Sequence, residues 1–323
     1  MTALLSVALL VAGAALLTAG AEAFAEHVTE ASARLGVSVL ALGILLAGAE
    51  PEEAVTAMVA SGRGHPALAA GDAVGANLVI LTLTIGLAAC LVRLPVSRRV
   101  VEYAVAASVV GAVAVVFLWT GVLGRVEGTV LVLVYVAGVA WVWWREKQPP
   151  VLGELAALDQ PDDTDDTGDA GNAGGDPARP LLFLLLGLLG MVTGGYLAVR
   201  GAEGMVGWLG ATESVVGLTV LALATSAEMV ALVWAAGRRG VSELVVAGVV
   251  GSVAYNATVS LGLAALVSPL GLGRHSPVLG VAMLTAVLPL VLLLGRPAGH
   301  LPRPVGMLLL VAYLACTGWL FTS

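Results

Sequence analysis

The sequence predicts an all-α membrane protein with ten transmembrane helices arranged as two inverted-topology repeats of five. Three observations lead to this expectation. Hydrophobic residues make up 59% of the 323-residue chain and charged residues only 11%, too few to cover the surface of a soluble protein this size. Apolar runs near 20 residues recur along nearly the whole length, each about long enough to cross roughly 30 Å of hydrocarbon as a helix. A lone strand could not satisfy its backbone there. Finally, the second half of the chain echoes the first.

The spans are read at about 3–21, 36–61, 67–92, 100–120, 127–144, 181–199, 212–236, 243–268, 277–295 and 304–321. The start, Met1-Thr2-Ala3, lacks the basic region of a secretory signal, so the first run is read as a retained span. This gives a first five-helix repeat over 1–146, an acidic linker over 147–179 and a second five-helix repeat over 180–323. Eight of the 22 acidic residues fall in the linker, between Glu154 and Asp176. A calcium loop of the EF-hand kind starting at Asp163 would need Glu at its twelfth position, where Gly174 stands, so the segment is read as a disordered linker.

Orientation follows from the positive charges. Eleven Lys and Arg residues follow odd-numbered spans, from Arg34 to Arg303, and four follow even-numbered ones: Arg63, Arg125, Arg200 and Arg274. The bias places both termini outside and the 147–179 loop in the cytoplasm of a cell whose plasma (inner) membrane holds the protein.

A shift of 176 residues superimposes Arg63-Gly64 on Arg239-Gly240, Gly75 on Gly251 and Gly86-Leu87-Ala88-Ala89 on Gly262-Leu263-Ala264-Ala265. The same shift carries Glu52 onto Glu228, and Gly20-Ala21-Glu22 resembles Gly201-Ala202-Glu203 at a shift of 181. The related spans are 2–3 and 7–8. Five spans separate them, an odd number, so the repeats cross the membrane in opposite directions. In folds of this kind the binding site lies near the midplane, where interrupted helices of the two repeats meet.

Glu50, Glu52 and Glu53 lie inside span 2 and Glu228 inside span 7, while no Lys or Arg lies mid-span. Carboxylates at that depth must be protonated, hydrogen-bonded or neutralised by a bound cation. Pro51 frees the carbonyl of Ala47, and Thr225 and Ser226 offer hydroxyls at the matching place in span 7. Span 8 adds Ser252 and Asn256, four apart on one helix face; span 3 adds Asp72 and Asn77. The candidate ligand set is therefore Glu52, Glu53, Asp72, Asn77, Thr225, Ser226, Glu228, Ser252 and Asn256. These are all oxygen donors, which suit a hard cation taking about six to eight oxygens rather than zinc or copper. On an undistorted helix Glu50 would sit about 200° from Glu52 and is expected to matter least of the span 2 acids. Cys90 and Cys316 lie within spans and make neither a disulfide framework nor a metal site, and the four histidines fall at loops or span ends. No Ser/His, His-Glu-x-x-His or paired-Asp constellation points to an enzyme. No cofactor is expected. The expected partners are inorganic cations and the lipid bilayer, not nucleic acid.

These residues resemble the α-repeats of the cation/Ca2+ antiporter superfamily, which includes sodium/calcium and cation/proton exchangers. The sodium/calcium exchanger pattern reads G-T-S-x-P-E, then G-S-N-x-x-N. The first repeat here shows Ala47-Gly48-Ala49-Glu50-Pro51-Glu52 and Gly75-Ala76-Asn77-Leu78-Val79-Ile80. The second shows Ala224-Thr225-Ser226-Ala227-Glu228 and Gly251-Ser252-Val253-Ala254-Tyr255-Asn256. The resemblance implies that Glu52 and Glu228 bind the ion, with Ser252 and Asn256 at further ligand positions. Ala49, Ala76 and Ile80 stand where the family has ligands. A gapless register would pair Glu53 with Met229 instead. The implied activity is exchange of Ca2+ for Na+, with Ca2+/H+ or Na+/H+ exchange as the alternatives within the same fold and a non-transporting scaffold as a remote one.

Overall fold

The computed structural model describes residues 2–34, 50–146, 179–230, 243–273 and 275–322. The linker expected over 147–179 lies outside the described residues except for Arg179, as do the first half of span 2 and the end of span 7. The described chain is overwhelmingly helical. The helices are α1 (Ala3–Arg34), α2 (Pro51–Gly62), α3 (Pro66–Leu91), α4 (Arg98–Leu118), α5 (Arg125–Glu146), α6 (Arg179–Leu209) and α7 (Glu213–Thr225). They continue with α8 (Glu243–Tyr255, running on through Asn256–Ser260 and Leu261–Val267), α9 (Pro277–Gly295) and α10 (Arg303–Leu320). Among the described residues eight helices are long and apolar enough to cross a membrane; α2 and α7 are shorter.

Local chemistry sets many of the boundaries. Proline opens α2, α3, α9 and α10, where its missing N–H costs nothing. The hydroxyls of Ser97, Thr212 and Ser276 accept from the first-turn amides of Val100, Val215 and Val278, capping α4, α7 and α9. Pro289 falls inside α9, and from Leu288 onward that helix tightens to 3-10 geometry.

Small residues decide the packing. Gly13 and Gly20 of α1 lie against Gly194 and Gly187 of α6, and Gly201 approaches Ser6 and Leu10, so the two long helices touch backbone to backbone. At the centre of the bundle Gly71 and Gly75 of α3 face Gly217 and Leu218 of α7; a β-carbon on Gly75 would lie 2.6 Å from the Leu218 carbonyl oxygen. Gly86 of α3 packs on Gly306 of α10, and Gly262 of α8 packs on Gly128 of α5. Two helices are enclosed: 78% of the apolar stretches of α3 and α8 is buried, against 22–39% for the other six long helices, which turn leucine and valine outward.

Three stretches widen into π-helix: Val79–Thr84 in α3, Gly217–Leu221 in α7 and Asn256–Ser260 in α8. Each holds a threonine whose hydroxyl donates to the carbonyl four residues back: Thr82 to Leu78, Thr219 to Val215 and Thr258 to Ala254. A π turn moves each N–H one carbonyl further back, and the threonine serves an oxygen that would otherwise lose its partner.

Outside the helices, two short strands, β1 (Val122–Leu123) and β2 (Leu270–Gly271), pair antiparallel, with Val122 opposite Gly271. An isolated bridge joins Pro95 to His300.

A candidate cation site where two helices break

Two interruptions build the site. Proline excludes the residue before it from helical geometry. Glu50 accordingly has φ −105° and ψ 76°, and α2 starts at Pro51 with Glu52 and Glu53 in its first turn. Acidic side chains there face the positive end of the helix dipole. On the opposing side α7 ends at Thr225. Ser226 forms a turn at φ −87° and ψ 6°, and helix resumes over 227–230, carrying Glu228. At Ser226 the helix is interrupted and resumes; at Pro51 α2 begins with Glu50 outside helical geometry, and what precedes Glu50 lies outside the described residues.

The enclosed helices α3 and α8 bring the remaining oxygens. The amide of Asn256 donates to Glu50 Oε2 at 2.9 Å, and Ser252 lies beside the same carboxyl group. The Ser226 hydroxyl donates to Glu53 Oε1 at 2.8 Å. The Thr225 hydroxyl reaches Asp72 Oδ1 at 3.3 Å while sharing its proton with the carbonyls of Leu221 and Ala222. Asp72 also interacts electrostatically with Glu53. Glu50, Glu53, Asp72, Thr225, Ser226, Ser252 and Asn256 thus form one connected group, all buried.

The other candidates sit differently. Asn77 donates to the Val253 carbonyl at 3.0 Å, tying α3 to α8. Glu52 is buried and within electrostatic reach of Glu228, but Glu228 itself is half-buried and turns to Thr18 of α1, with Glu22 nearby. Met229, the alternative partner in the gapless register, is a core residue packed with Val246, Val249 and Val253. Glu50 reverses an expectation. It is not on an undistorted helix with Glu52, because Pro51 ends the helical geometry before it, and its carboxyl group points into the connected group. The signal was the Glu-Pro step itself.

The site is polar, acidic and incompletely paired. Glu50 Oε1, Glu52 Oε2, Glu53 Oε2, Asp72 Oδ2, Asn77 Oδ1 and Glu228 Oε2 are buried with no hydrogen-bond partner among the described residues. Among the described residues no Arg or Lys forms an ion pair with these carboxyl groups. The ion pairs found lie elsewhere, at Arg63–Glu203, Arg200–Glu203, Arg98–Glu102 and Arg145–Glu102. Among the described residues no three acidic, histidine or cysteine side chains converge tightly enough to hold a metal ion alone. Hydroxyl, amide and main-chain oxygens would have to complete a coordination shell, as hard cations accept.

Such a bundle of long apolar helices with acidic groups enclosed between them is an integral, multi-pass membrane protein. A model of the sodium/calcium exchanger protein family matches residues 4–144 and 179–322, and the chain belongs to that family. It is 27% identical to the inner membrane protein YrbG of Escherichia coli over 98% of both chains. It is 26% identical to CaxA of Alkalimonas amylolytica, provisionally named an antiporter, over 96% of this chain and 97% of that one. Structures of the sodium-calcium exchanger NCX_Mj share the fold. The form soaked with 10 mM Na+ and 10 mM Sr2+ aligns over 98% of this chain and 99% of its own, with a TM-score of 0.60 at 21% identity.

Proposed function

We propose that this chain is a secondary active antiporter that exchanges Ca2+ for Na+ across the membrane by alternating access. The observation that carries the reading is the set of acidic groups Glu50, Glu52, Glu53 and Glu228 on α2 and around Ser226, with Asp72 on α3 facing them, and no cationic side chain among the described residues to pair them. Unneutralised charge in a low-dielectric interior is costly. A Ca2+ ion balances two carboxylates. Once it leaves, the same groups need other cations before the carrier can reorient, and that requirement couples the two fluxes.

Ten helices in two inverted repeats of five is the architecture that supports this cycle, and the packing favours it. Gly86 and Gly262 are related by the 176-residue shift, and each packs on a glycine of a distant helix, Gly306 or Gly128. The backbone pairings repeat as well: Pro95 to His300 is matched by Gly271 to Val122, with 271 − 95 = 176 and 300 − 122 = 178. In this reading 1–146 and 180–323 are the repeats, 147–179 is their cytoplasmic linker and both termini lie outside the plasma (inner) membrane.

The candidate ligands remain Glu52, Glu53, Asp72, Asn77, Thr225, Ser226, Glu228, Ser252 and Asn256, with Glu50 added by the geometry. A second reading substitutes H+ for Na+. It is favoured by the lopsided donor set: Glu50, Glu52, Glu53 and Asp72 come from the first half, while the second half adds one carboxyl group, Glu228, to the neutral oxygens of Thr225, Ser226, Ser252 and Asn256. More carboxyl groups than a dication balances leave acids for protons to occupy. Uptake of Ca2+ into proteoliposomes, driven separately by a Na+ gradient and by a pH gradient, tests both. Uptake driven by Na+ alone supports the first reading and uptake driven by pH alone the second. No Ca2+ movement under either gradient overturns Ca2+ as the substrate.

A further inference from the structure

α5 meets the bundle along one narrow stripe. Gly128, Leu131, Tyr135 and Val139 are buried at helical spacing, while Leu133 and Trp141 turn outward. The stripe lies on α8, where Gly128 packs against the Gly262 backbone. That close approach seats the Tyr135 ring edge-on against the Tyr255 ring, with centroids 5.5 Å apart and planes at 83°. Tyr255 precedes Asn256, whose amide donates to Glu50 Oε2 at 2.9 Å. Ala54 packs in one cluster with the two tyrosines, and its N–H donates to the Glu50 carbonyl, which places it one turn beyond Glu50 on α2. Tyr135 thus faces the Glu50 end of the acidic group, and the two side chains interact electrostatically.

Two oxygens at this end lack partners. The Tyr135 hydroxyl and Glu50 Oε1 are both buried, and neither has a hydrogen-bond partner among the described residues. Packing does not call for the hydroxyl, since a phenylalanine ring would fill the same place on Tyr255. An unpaired buried O–H is costly, so its presence in an otherwise apolar stripe points to a group it meets in another state of occupancy. A cation held by Glu50 is such a group. A phenol oxygen keeps lone pairs for a hard cation and adds a ligand without adding negative charge to a site already rich in carboxyl groups.

We infer that Tyr135 is a cation-binding residue, its hydroxyl oxygen joining Glu50 in the coordination shell. The inference rests on the antiport reading and extends the site to α5, a helix that supplies none of the ligands named above.

The experiment measures Ca2+ uptake into proteoliposomes against Ca2+ concentration for the full-length parent, Tyr135→Phe and Val139→Ala, under a Na+ gradient and under a pH gradient. Thermal unfolding of each protein in detergent is followed alongside. Tyr135→Phe keeps the ring and its contact with Tyr255 and removes one oxygen. It is expected to raise the half-saturating Ca2+ concentration about tenfold, with the maximal rate within about twofold of the parent and the unfolding temperature no lower. Val139→Ala, a packing change in the same stripe, is expected to lower the unfolding temperature and leave half-saturation where it was. A parent-like half-saturating concentration in Tyr135→Phe overturns the inference alone, whether or not its unfolding temperature falls, and a shift of equal size in Val139→Ala also overturns it by assigning the effect to packing. No Ca2+ uptake by the parent under either gradient overturns the antiport reading and this inference together.

Discussion

Glu50 shows how one neighbour redirects a side chain. Helix geometry alone would turn it away from Glu52, yet the proline after it holds its backbone outside the helix and its carboxyl group meets Asn256. Glu50→Gln is therefore expected to lower Ca2+ transport at least about tenfold, because a buried acidic group matched to a cation is costly to lose. Asn256→Ala removes a neutral amide and should cost less. Gradient-driven uptake by variants of equal expression ranks the two, and parent-like transport by Glu50→Gln would return weight to the helix-face expectation. The sequence marked the polar positions of the spans as candidates, because charged and polar residues in apolar spans are costly and the repeat aligns Glu52 with Glu228; Asn77 instead ties α3 to α8 through the Val253 carbonyl. The pairing of these positions was not legible. A 176-residue shift says which positions correspond, not that Glu228 turns toward Thr18 while Glu53 takes Ser226.

Helices offer sharper tests of packing. Gly75→Val would push a branched side chain into the Leu218 backbone and Ala222, an overpacking that costs on the order of 1–3 kcal/mol. Gly138→Val, at a site with nothing within 4 Å of a β-carbon, is the matched control. Thermal unfolding in detergent should separate the two by several degrees. Pro51→Ala is expected to leave the protein folded and to reduce transport, since α2 could then extend back through Glu50 and withdraw its carboxyl group. Normal uptake by Pro51→Ala would show that the break does not depend on proline. Span ends were readable to within a few residues wherever hydropathy, proline and serine caps change together. The π turns were not readable, because their mark, one threonine in an apolar run, is too common to single out.

For the whole molecule, the arginine and lysine bias predicts that the segment around Asp166 faces the cytoplasm. A cysteine placed at Asp166, in a background lacking Cys90 and Cys316, should resist an impermeant thiol reagent in intact cells and react after lysis. Labelling of intact cells would invert the assigned topology. Membership of the exchanger family was legible from two motifs and a repeat. The coupling ion was not, because Na+ and H+ draw on the same oxygens and differ mainly in how many must gather around them.

The π turn in α3 has a rotational consequence. Asp72 and Asn77 precede Val79–Thr84, and Gly86, which meets Gly306, follows it. An extra residue in a turn holds back all that comes after it by about 100° relative to an uninterrupted α-helix. The compass bearing of the acidic face and that of the glycine contact are thus set independently on one rod. Closing the π turn to α-helix with every residue kept would leave Asp72 aimed as before and swing Gly86 about 100° off Gly306, whereas deleting one residue within 79–84 lets the turn close with both bearings kept. The same arrangement recurs in α8, where Asn256 opens a π turn and Gly262 lies beyond it against Gly128.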